Sequence, residues 1–346
     1  GVMSPEVAKD FGANTLLSGP ASGPFAALHF TAHHGLKDLI AIDMGGTSLD
    51  ASLIRDGRPS ITKSSEVAEY ALVIPSLDIR AIGSGGGSIA YVDKSGVLKV
   101  GPESAGAVPG PAAYDFGGDR PTVTDANLLL GYFNADFFLG GRMTLDTSAA
   151  EAAVASVGER LSLSTIEAAW GIHEIVCENM AAAARSHIVE KGRDPRRYAV
   201  VGMGGAGPAH VGRVARILGV DEVIIPPATG AASALGFLIA PISFECLRSQ
   251  PELLDELNYE AVNCLLAELE NEGRDMITEA GVAPADVTVT RTADMRLAGQ
   301  MHEITVTLPT ELLASDKLSV IKAAFADEYT RRYTLLYEGA QIQVMH

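Results

Sequence analysis

The sequence predicts an α/β layered fold with an inserted Gly-rich β region, followed by a smaller α+β segment. Three observations predict it. Short apolar strands begin at residue 39 and, from Ser148 to about Ala240, alternate with helices, the pattern of a sheet covered by helices. Clusters of glycine stand where two of those strands end. Beyond Ser243 the pattern changes to a charged helix, two strands and a last helix.

Taken in order, Leu39 to Asp43 is an apolar run that ends in Gly45-Gly46. Leu49 to Ile54 then alternates before the turn cluster Arg55-Asp56-Gly57-Arg58, and a third strand is expected near Ser60-Ile61-Thr62. The insertion covers about 75–145. Its Gly, Pro and Ser residues are mixed with too many apolar ones for a flexible linker, and short strands are expected at Ile89 to Val92 and Val97 to Val100. Helical periodicity begins at Ser148. Ser164 and Glu167 have capping-box spacing, so a long helix is expected from Thr165 to about Glu190, stopped by Gly192. Tyr198 to Gly202 reads as a buried strand, Gly204 to Pro208 as a turn and Ala209 to Leu218 as a helix. Asp221 to Pro226 reads as a strand, and Gly230 to Ala240 as a helix of small residues. Further on, a helix is expected over Glu252 to Ala280, strands over Val287 to Leu297 and Glu303 to Leu308, and a helix over Leu318 to Tyr333. Two domains result, 1–243 and 244–346, with the boundary near Ser243 to Gln250.

Composition narrows the function. The 346 residues are 47% hydrophobic and 20% charged, enough to bury a substantial core. Lys plus Arg number 26 against 43 Asp plus Glu, a net charge of -17 with no basic cluster, which argues against nucleic acid and anionic membranes as partners. Three cysteines, Cys177, Cys246 and Cys264, show no CxxC or zinc-ligand spacing and suit a reducing cytoplasm. No apolar run reaches the length of a membrane span.

Two glycine loops carry the chemistry. In Asp43-Met44-Gly45-Gly46-Thr47-Ser48-Leu49-Asp50, Gly45 and Gly46 let the backbone approach an anion, and Thr47 and Ser48 add hydroxyl donors. Asp43 and Asp50 at its two ends suit Mg2+ binding through water, or the orienting of an attacking water. The competing reading is a tight hairpin capped by its aspartates. In Gly202-Met203-Gly204-Gly205-Ala206-Gly207-Pro208, between a strand and a helix, Gly204, Gly205 and Gly207 would let a base or ribose lie against the backbone, where open α/β sheets bind ligands. A tight strand-to-helix turn is the alternative. Neither loop is a Rossmann or P-loop fingerprint.

Strand–GG[TS]–strand, a long helical section, then strand–GGAG–helix resembles the actin-like ATPase (ribonuclease H-like) superfamily. The resemblance narrows with Ser18-Gly19-Pro20, Gly83-Ser84-Gly85-Gly86-Gly87-Ser88, Gly101-Pro102-Glu103-Ser104-Ala105-Gly106, Pro109-Gly110-Pro111, Thr122-Val123-Thr124-Asp125-Ala126-Asn127, Phe137-Phe138-Leu139-Gly140-Gly141 and Ser233-Ala234-Leu235-Gly236, in order with the two loops. Together they strongly resemble the hydantoinase A/5-oxoprolinase family, as far as about Ala240. Asp294-Met295-Arg296-Leu297-Ala298-Gly299-Gln300 resembles that family's D-x-R-[YF]-x-G-Q segment.

The resemblance implies ATP and Mg2+ as cofactors, with phosphate and metal contacts on Asp43, Gly45, Gly46, Thr47 and Asp50 and the nucleoside near Gly204, Gly205 and Gly207. It implies ATP-dependent hydrolysis of a small cyclic amide, with carboxylation of a ketone as the rival activity, and a B-type hydantoinase subunit as partner. A non-catalytic nucleotide-binding or assembly domain is the reading from another class. Leu49 stands where the family usually has Thr, and Leu297 where it has an aromatic. Family members begin with a further D-x-G-G-T-F-T-D loop, and no such loop precedes Ser18 here. The chain is therefore expected to be an internal fragment of a longer subunit, or a truncated paralogue, with one wall of the ATP cleft missing.

Other residues carry weaker signals. His33-His34 reads as a solvated helix end, and His173 and His187 lie too far apart on one helix to share a metal. His210 reads as helix-start packing or capping ahead of catalysis, His302 as a residue that could face substrate with the odds against it, Cys177 as a buried residue, and Asp125 as a helix cap ahead of a cleft residue. The Gly83 to Ser88 loop is either a structural turn or a binding loop.

Overall fold

The computed structural model describes residues 8–9, 12–16, 18–62, 65–67, 70–72, 76–333, 335 and 339–346. The expected start of the insertion, residue 75, falls outside them. Contacts divide the chain into two compact units, one reaching to Ala240 and one containing Pro241–His346.

In the first unit, helix α1 (Gly23–Thr31) precedes strands β1 (Leu39–Met44), β2 (Leu49–Arg55), β3 (Ile79–Ile82), β4 (Ser88–Val92) and β5 (Leu98–Ser104). Helices α2 (Val123–Leu129), α3 (Thr147–Leu161) and α4 (Thr165–Val189) follow, then β6 (Ala199–Met203), α5 (Val211–Leu218), β7 (Val223–Ile224) and α6 (Ala232–Ile239). One six-stranded sheet runs in the order β7–β6–β1–β2, with β3 and the short strand Arg58–Pro59 sharing the outer edge of β2. β1 pairs antiparallel with β2 and parallel with β6, and β6 pairs parallel with β7.

Both faces of this sheet are buried, so its central strands read as continuous apolar runs rather than alternating ones. Leu39, Ala41, Ala199, Val201 and Met203 pack with Ala26 and Ala27 of α1 and Ala232 of α6. Ile40, Ile42, Met44, Leu49, Ala51 and Leu53 face the other way, into a larger core with Ile172, Val176 and Met180 of α4 and Val211 and Val214 of α5. Because side chains alternate along a strand, Asp43 and Asp50 share the α1/α6 face and Met44 and Leu49 share the other.

Caps mark the helix starts where the sequence signals them. The Ser164 hydroxyl accepts the Glu167 N–H while the Glu167 carboxylate accepts the Ser164 N–H, and Thr122 and Asp125 form the same reciprocal box at α2. Helix α4 ends at Val189, shortly before the left-handed Gly192.

The second unit is an antiparallel sheet in the order β8 (Glu252–Leu253), β11 (Ile342–Val344), β9 (Thr292–Leu297) and β10 (Ile304–Thr307), with helices α7 (Tyr259–Glu279) and α8 (Leu318–Tyr333). Its core joins Leu254, Met295, Leu297, Ile304, Ile321 and Phe325. Two expected elements are shorter here. The helix expected from Glu252 starts only at Tyr259, because Glu252 and Leu253 pair with Val344 and Gln343 and the Asn258 side chain caps the helix by accepting the Ala261 N–H at 3.1 Å. The strand expected from Val287 starts at Thr292, where ladder partners in β10 begin. In the first unit, a 3-10 turn at Gly207–Ala209 takes the start of the helix expected from Ala209, and α5 begins at Val211. No helix of the described residues is long and apolar enough to cross a membrane.

Leu49 is fully buried in the larger core. Replacing it by Thr therefore removes packed methyl groups and buries a hydroxyl. We expect Leu49→Thr to lower the free energy of urea unfolding by about 2–3 kcal/mol; an unchanged midpoint would place that side chain outside the core.

Candidate functional site

The site is built by backbone pairing. Parallel register sets Ile42 opposite Gly202 and Asp43 opposite Met203, so the loop after β1 and the loop after β6 emerge side by side at one end of the sheet. The Ala206 N–H donates to the Met44 carbonyl at 3.0 Å, and the Gly45 N–H closes the hairpin by donating to the Ser48 carbonyl at 3.0 Å. Gly204 has φ +82, and a Cβ there would lie 2.2 Å from the Met44 oxygen and 2.6 Å from Asp43 Oδ1. Only glycine allows so close an approach in that backbone conformation. Gly45 is half-buried and Gly46, Thr47 and Ser48 are exposed at the turn, while Gly205 is exposed and Gly204 and Gly207 are buried. The predicted loop residues thus meet at one place, with both turns open to solvent.

Asp43 and Asp50 are cross-strand partners on the same face, one at each end of the hairpin turn. Both are half-buried. Burial raises the Asp43 carboxyl above its ordinary range, and a hydrogen bond from the Ser233 hydroxyl, in the first turn of α6, partly offsets this. Burial, with the adjacent Asp43 charge, pushes Asp50 up to about 6. Two desolvated carboxylates facing one another are a hard-oxygen pair that a divalent cation would relieve, so the donor set fits Mg2+.

A third loop, read from sequence as either structural or ligand-binding, braces this hairpin from behind. The Gly86 N–H donates to the Gly45 carbonyl at 3.0 Å and the Gly87 N–H to the Gly46 carbonyl at 2.7 Å. A Cβ on Gly85 would lie 2.5 Å from Gly46 C and O and from Thr47 N, so this contact also requires glycine. Thr124 of α2 holds the brace in turn, its N–H and hydroxyl both donating to the Gly86 carbonyl at 2.8 and 2.9 Å. Asp125 is the cap expected of it, and its carboxylate also accepts from the Ala112 and Ala113 N–H groups.

Residues 1–246 match the family model described as hydantoinase/oxoprolinase. The chain belongs to the hydantoinase/oxoprolinase family. It is 35% identical to the caprolactamase alpha subunit of Pseudomonas jessenii, over 98% of this chain and 49% of that protein. It is 33% identical to the acetophenone carboxylase gamma subunit of Aromatoleum aromaticum, over 96% of this chain and 47% of that one. The crystal structure of the ATP-dependent caprolactamase from Pseudomonas jessenii superimposes with a TM-score of 0.81 at 34% identity, covering 96% of this chain and 49% of that chain. The chain spans about half the length of the curated relatives it matches.

Within the family pattern, the two noted departures are both core residues. Leu49 and Leu297 are buried, in the first and second unit respectively. Gln300, from the Gly-Gln segment, donates to the Tyr329 hydroxyl of α8 at 2.8 Å, and His302 is exposed. Sequence reasoning missed three contributors: Ser233, Thr124 and the pair Asn127–His210. Ser233 and Thr124 belong to recognised segments, but nothing in their spacing says which loop each one reaches. The cluster of His173, Cys177 and His210 was also invisible, since two of its members share a helix and the third follows the Gly204–Gly207 loop.

A native carboxyl that titrates above its unfolded value keeps a proton the unfolded chain has lost. Stability therefore falls as pH rises from about 4, the unfolded value, to about 6 for Asp50, and stays at the lower level above that. In chelator at pH 8, Asp50→Asn should be more stable than the wild type by about 1 kcal/mol, solvent screening at a half-buried site keeping the gain small. Urea unfolding at pH 8 and pH 5 checks this: the gain should shrink at the lower pH, and a less stable variant at pH 8 contradicts the burial and repulsion that raise Asp50.

Proposed function

We propose that this chain carries an ATP site of the actin-like type, in which the Gly45–Ser48 turn cradles phosphate and Gly204, Gly205 and Gly207 lie against the nucleoside. The observation that carries the proposal is the parallel β1–β6 register, which sets a glycine turn, a paired carboxylate and a second glycine loop side by side. A strand–turn–strand joined in parallel to a strand–turn–helix is the layout the actin-like reading expects. Asp43 and Asp50 would hold Mg2+, which when bound offsets phosphate charge and polarises the phosphoryl oxygens. Ser233 orients the Asp43 carboxylate, and the Gly85–Gly87 brace fixes the turn before any ligand arrives, so little reorganisation remains.

The reaction class that suits this machinery and the relatives is ATP-dependent opening of a small cyclic amide. The γ-phosphoryl group would pass to the amide oxygen as ADP leaves. Water would then add to the activated carbon, expulsion of the protonated ring nitrogen would leave an acyl phosphate, and a second water would release phosphate and the carboxylate. An unactivated amide is poorly electrophilic, and the phosphorylated one is not. A second reading, carboxylation of a ketone through the same ATP activation, is favoured by the acetophenone carboxylase relative, whose identity and coverage nearly equal those of the caprolactamase. Both relatives are named as subunits, which supports a B-type hydantoinase subunit as the partner.

Calorimetry with ATP and Mg2+ tests the site. Binding is expected, and Asp43→Asn should weaken it by at least tenfold, about 1.4 kcal/mol. No heat at millimolar ATP removes the ATP reading of these loops. Phosphate release in the presence of the partner subunit, with hydantoin, 5-oxoproline, or acetophenone plus bicarbonate, then separates hydrolase from carboxylase.

A further inference from the structure

Behind the Gly204–Gly207 loop lies a closed polar ring that the proposed chemistry does not use. Asn127 on α2, His173 and Cys177 on α4, and His210 at the start of α5 are all fully buried. Asn127 Oδ1 stands 2.9 Å from His173 Nδ1, and Asn127 Nδ2 stands 3.0 Å from His210 Nε2. Cys177 Sγ lies 3.5 Å from His173 Nε2 and 3.4 Å from His210 Nδ1. The two imidazoles stack at 4.6 Å, and Tyr132 stacks on His173 at 4.8 Å. One ligand atom from each of His173, Cys177 and His210 falls within 4.8 Å of the others, the spacing of a metal site.

Counting protons around the ring decides against a metal. His173 Nδ1–H donates to Asn127 Oδ1, and Asn127 Nδ2–H donates to His210 Nε2. His210 Nδ1–H then donates to Cys177 Sγ, whose S–H donates to His173 Nε2. Each group gives one proton and takes one, and all four are neutral. Turning the amide over reverses every bond and leaves the count unchanged. A cation bound by the two inner ring nitrogens and the thiolate would need both outer nitrogens to carry N–H, because a ligating imidazole donates its other N–H. Both would point at one amide that has a single acceptor end, leaving a buried N–H against an NH2 group.

We propose that Asn127 is a positioning residue, holding His173, Cys177 and His210 as a neutral, metal-free ring that clamps the end of the Gly204–Gly207 loop to α4. Burial acts in the same sense, pushing His210 down to about 3 and Cys177 up to about 12. The clamp also completes the role of α2, since Thr124 and Asn127 lie one turn apart and each secures a different loop of the site. The ring's proton count is independent of what those loops bind, so the absence of ATP binding would leave it standing.

Two measurements test it. Nitrogen-15 NMR of the histidine rings near neutral pH should find His173 and His210 neutral and in the same tautomer, both Nδ1–H as drawn or both Nε2–H with the amide reversed. Opposite tautomers, or a charged ring, overturn the proposal. Cobalt(II) titration of the wild type should give no thiolate-to-cobalt absorption that depends on Cys177, as judged against Cys177→Ser. Asn127→Asp, whose two oxygens accept from both outer N–H groups, should gain about one equivalent of cobalt with that absorption, and lose it when combined with Cys177→Ser. A wild type that binds cobalt through Cys177, or a folded Asn127→Asp that does not, refutes the ring. Should Asn127→Asp fail to fold, the tautomers and the wild-type titration decide.

Discussion

The parallel pairing of β1 with β6 is the constraint on which the rest of the first unit depends. It puts two chain segments some 160 residues apart in register at one sheet end, and it places the start of the second glycine loop against the last residues of β1. Slipping that register by one residue would turn Asp43 from the α1/α6 face into the apolar core of the other face, and would carry the Gly204 contact off Met44. The close approach at Gly204 therefore does two things at once. It packs the loops together, and it ties the position of the second loop to the orientation of the Asp43 carboxylate.

Around that constraint the molecule spends its buried polar groups on loops rather than on helices. Helix α2 is short, yet Thr122, Thr124, Asp125 and Asn127 are all buried and hydrogen-bonded. Each bonded pair contributes about 1 kcal/mol net, while a broken one leaves a dry donor or acceptor at a cost of about 1–3 kcal/mol. Such a network stabilises modestly and specifies strongly, because any displacement of the Gly85–Gly87 brace or of His210 strands a polar atom. Gly45 and Gly46 of the hairpin turn carry no side chains that could hold it in place. The bracing has to come from elsewhere, and α2 supplies it.

This division explains what was legible in the sequence. The Asp43–Asp50 hairpin and the Gly204–Gly207 turn could be read because glycine and aspartate patterns are local, and the helix start at Ser164 because a capping box spans three residues. The start of α7 was misplaced because Glu252 and Leu253 have a helix-compatible composition, and only a partner strand about ninety residues later pulls them into a sheet. The contact from Thr124 to Gly86 and the ring through Asn127 joined residues with no periodic relation. Sequence signals the presence of such polar residues in a buried run, but topology alone decides what they reach. The Gly83 to Ser88 loop illustrates the same limit: its glycines serve a neighbouring backbone, and composition cannot tell that use from ligand binding.

The electrostatics of the hairpin add a last step. The chain is strongly acidic, and the turn that in the ATP reading would cradle phosphate is flanked by two half-buried carboxylates. Without a cation, that arrangement opposes itself, since burial raises the proton affinity of both carboxylates, the Asp43 charge adds to it at Asp50, and both would repel the phosphate that the turn would cradle. A hard divalent cation between carboxylate and phosphate resolves both conflicts together, converting mutual repulsion into shared coordination. In the ATP reading, nucleotide and metal are then obligatory partners: each removes the charge that excludes the other. Ser233 fits this logic, because a hydroxyl on one Asp43 oxygen satisfies part of the carboxylate without neutralising it, leaving its charge available to the ion.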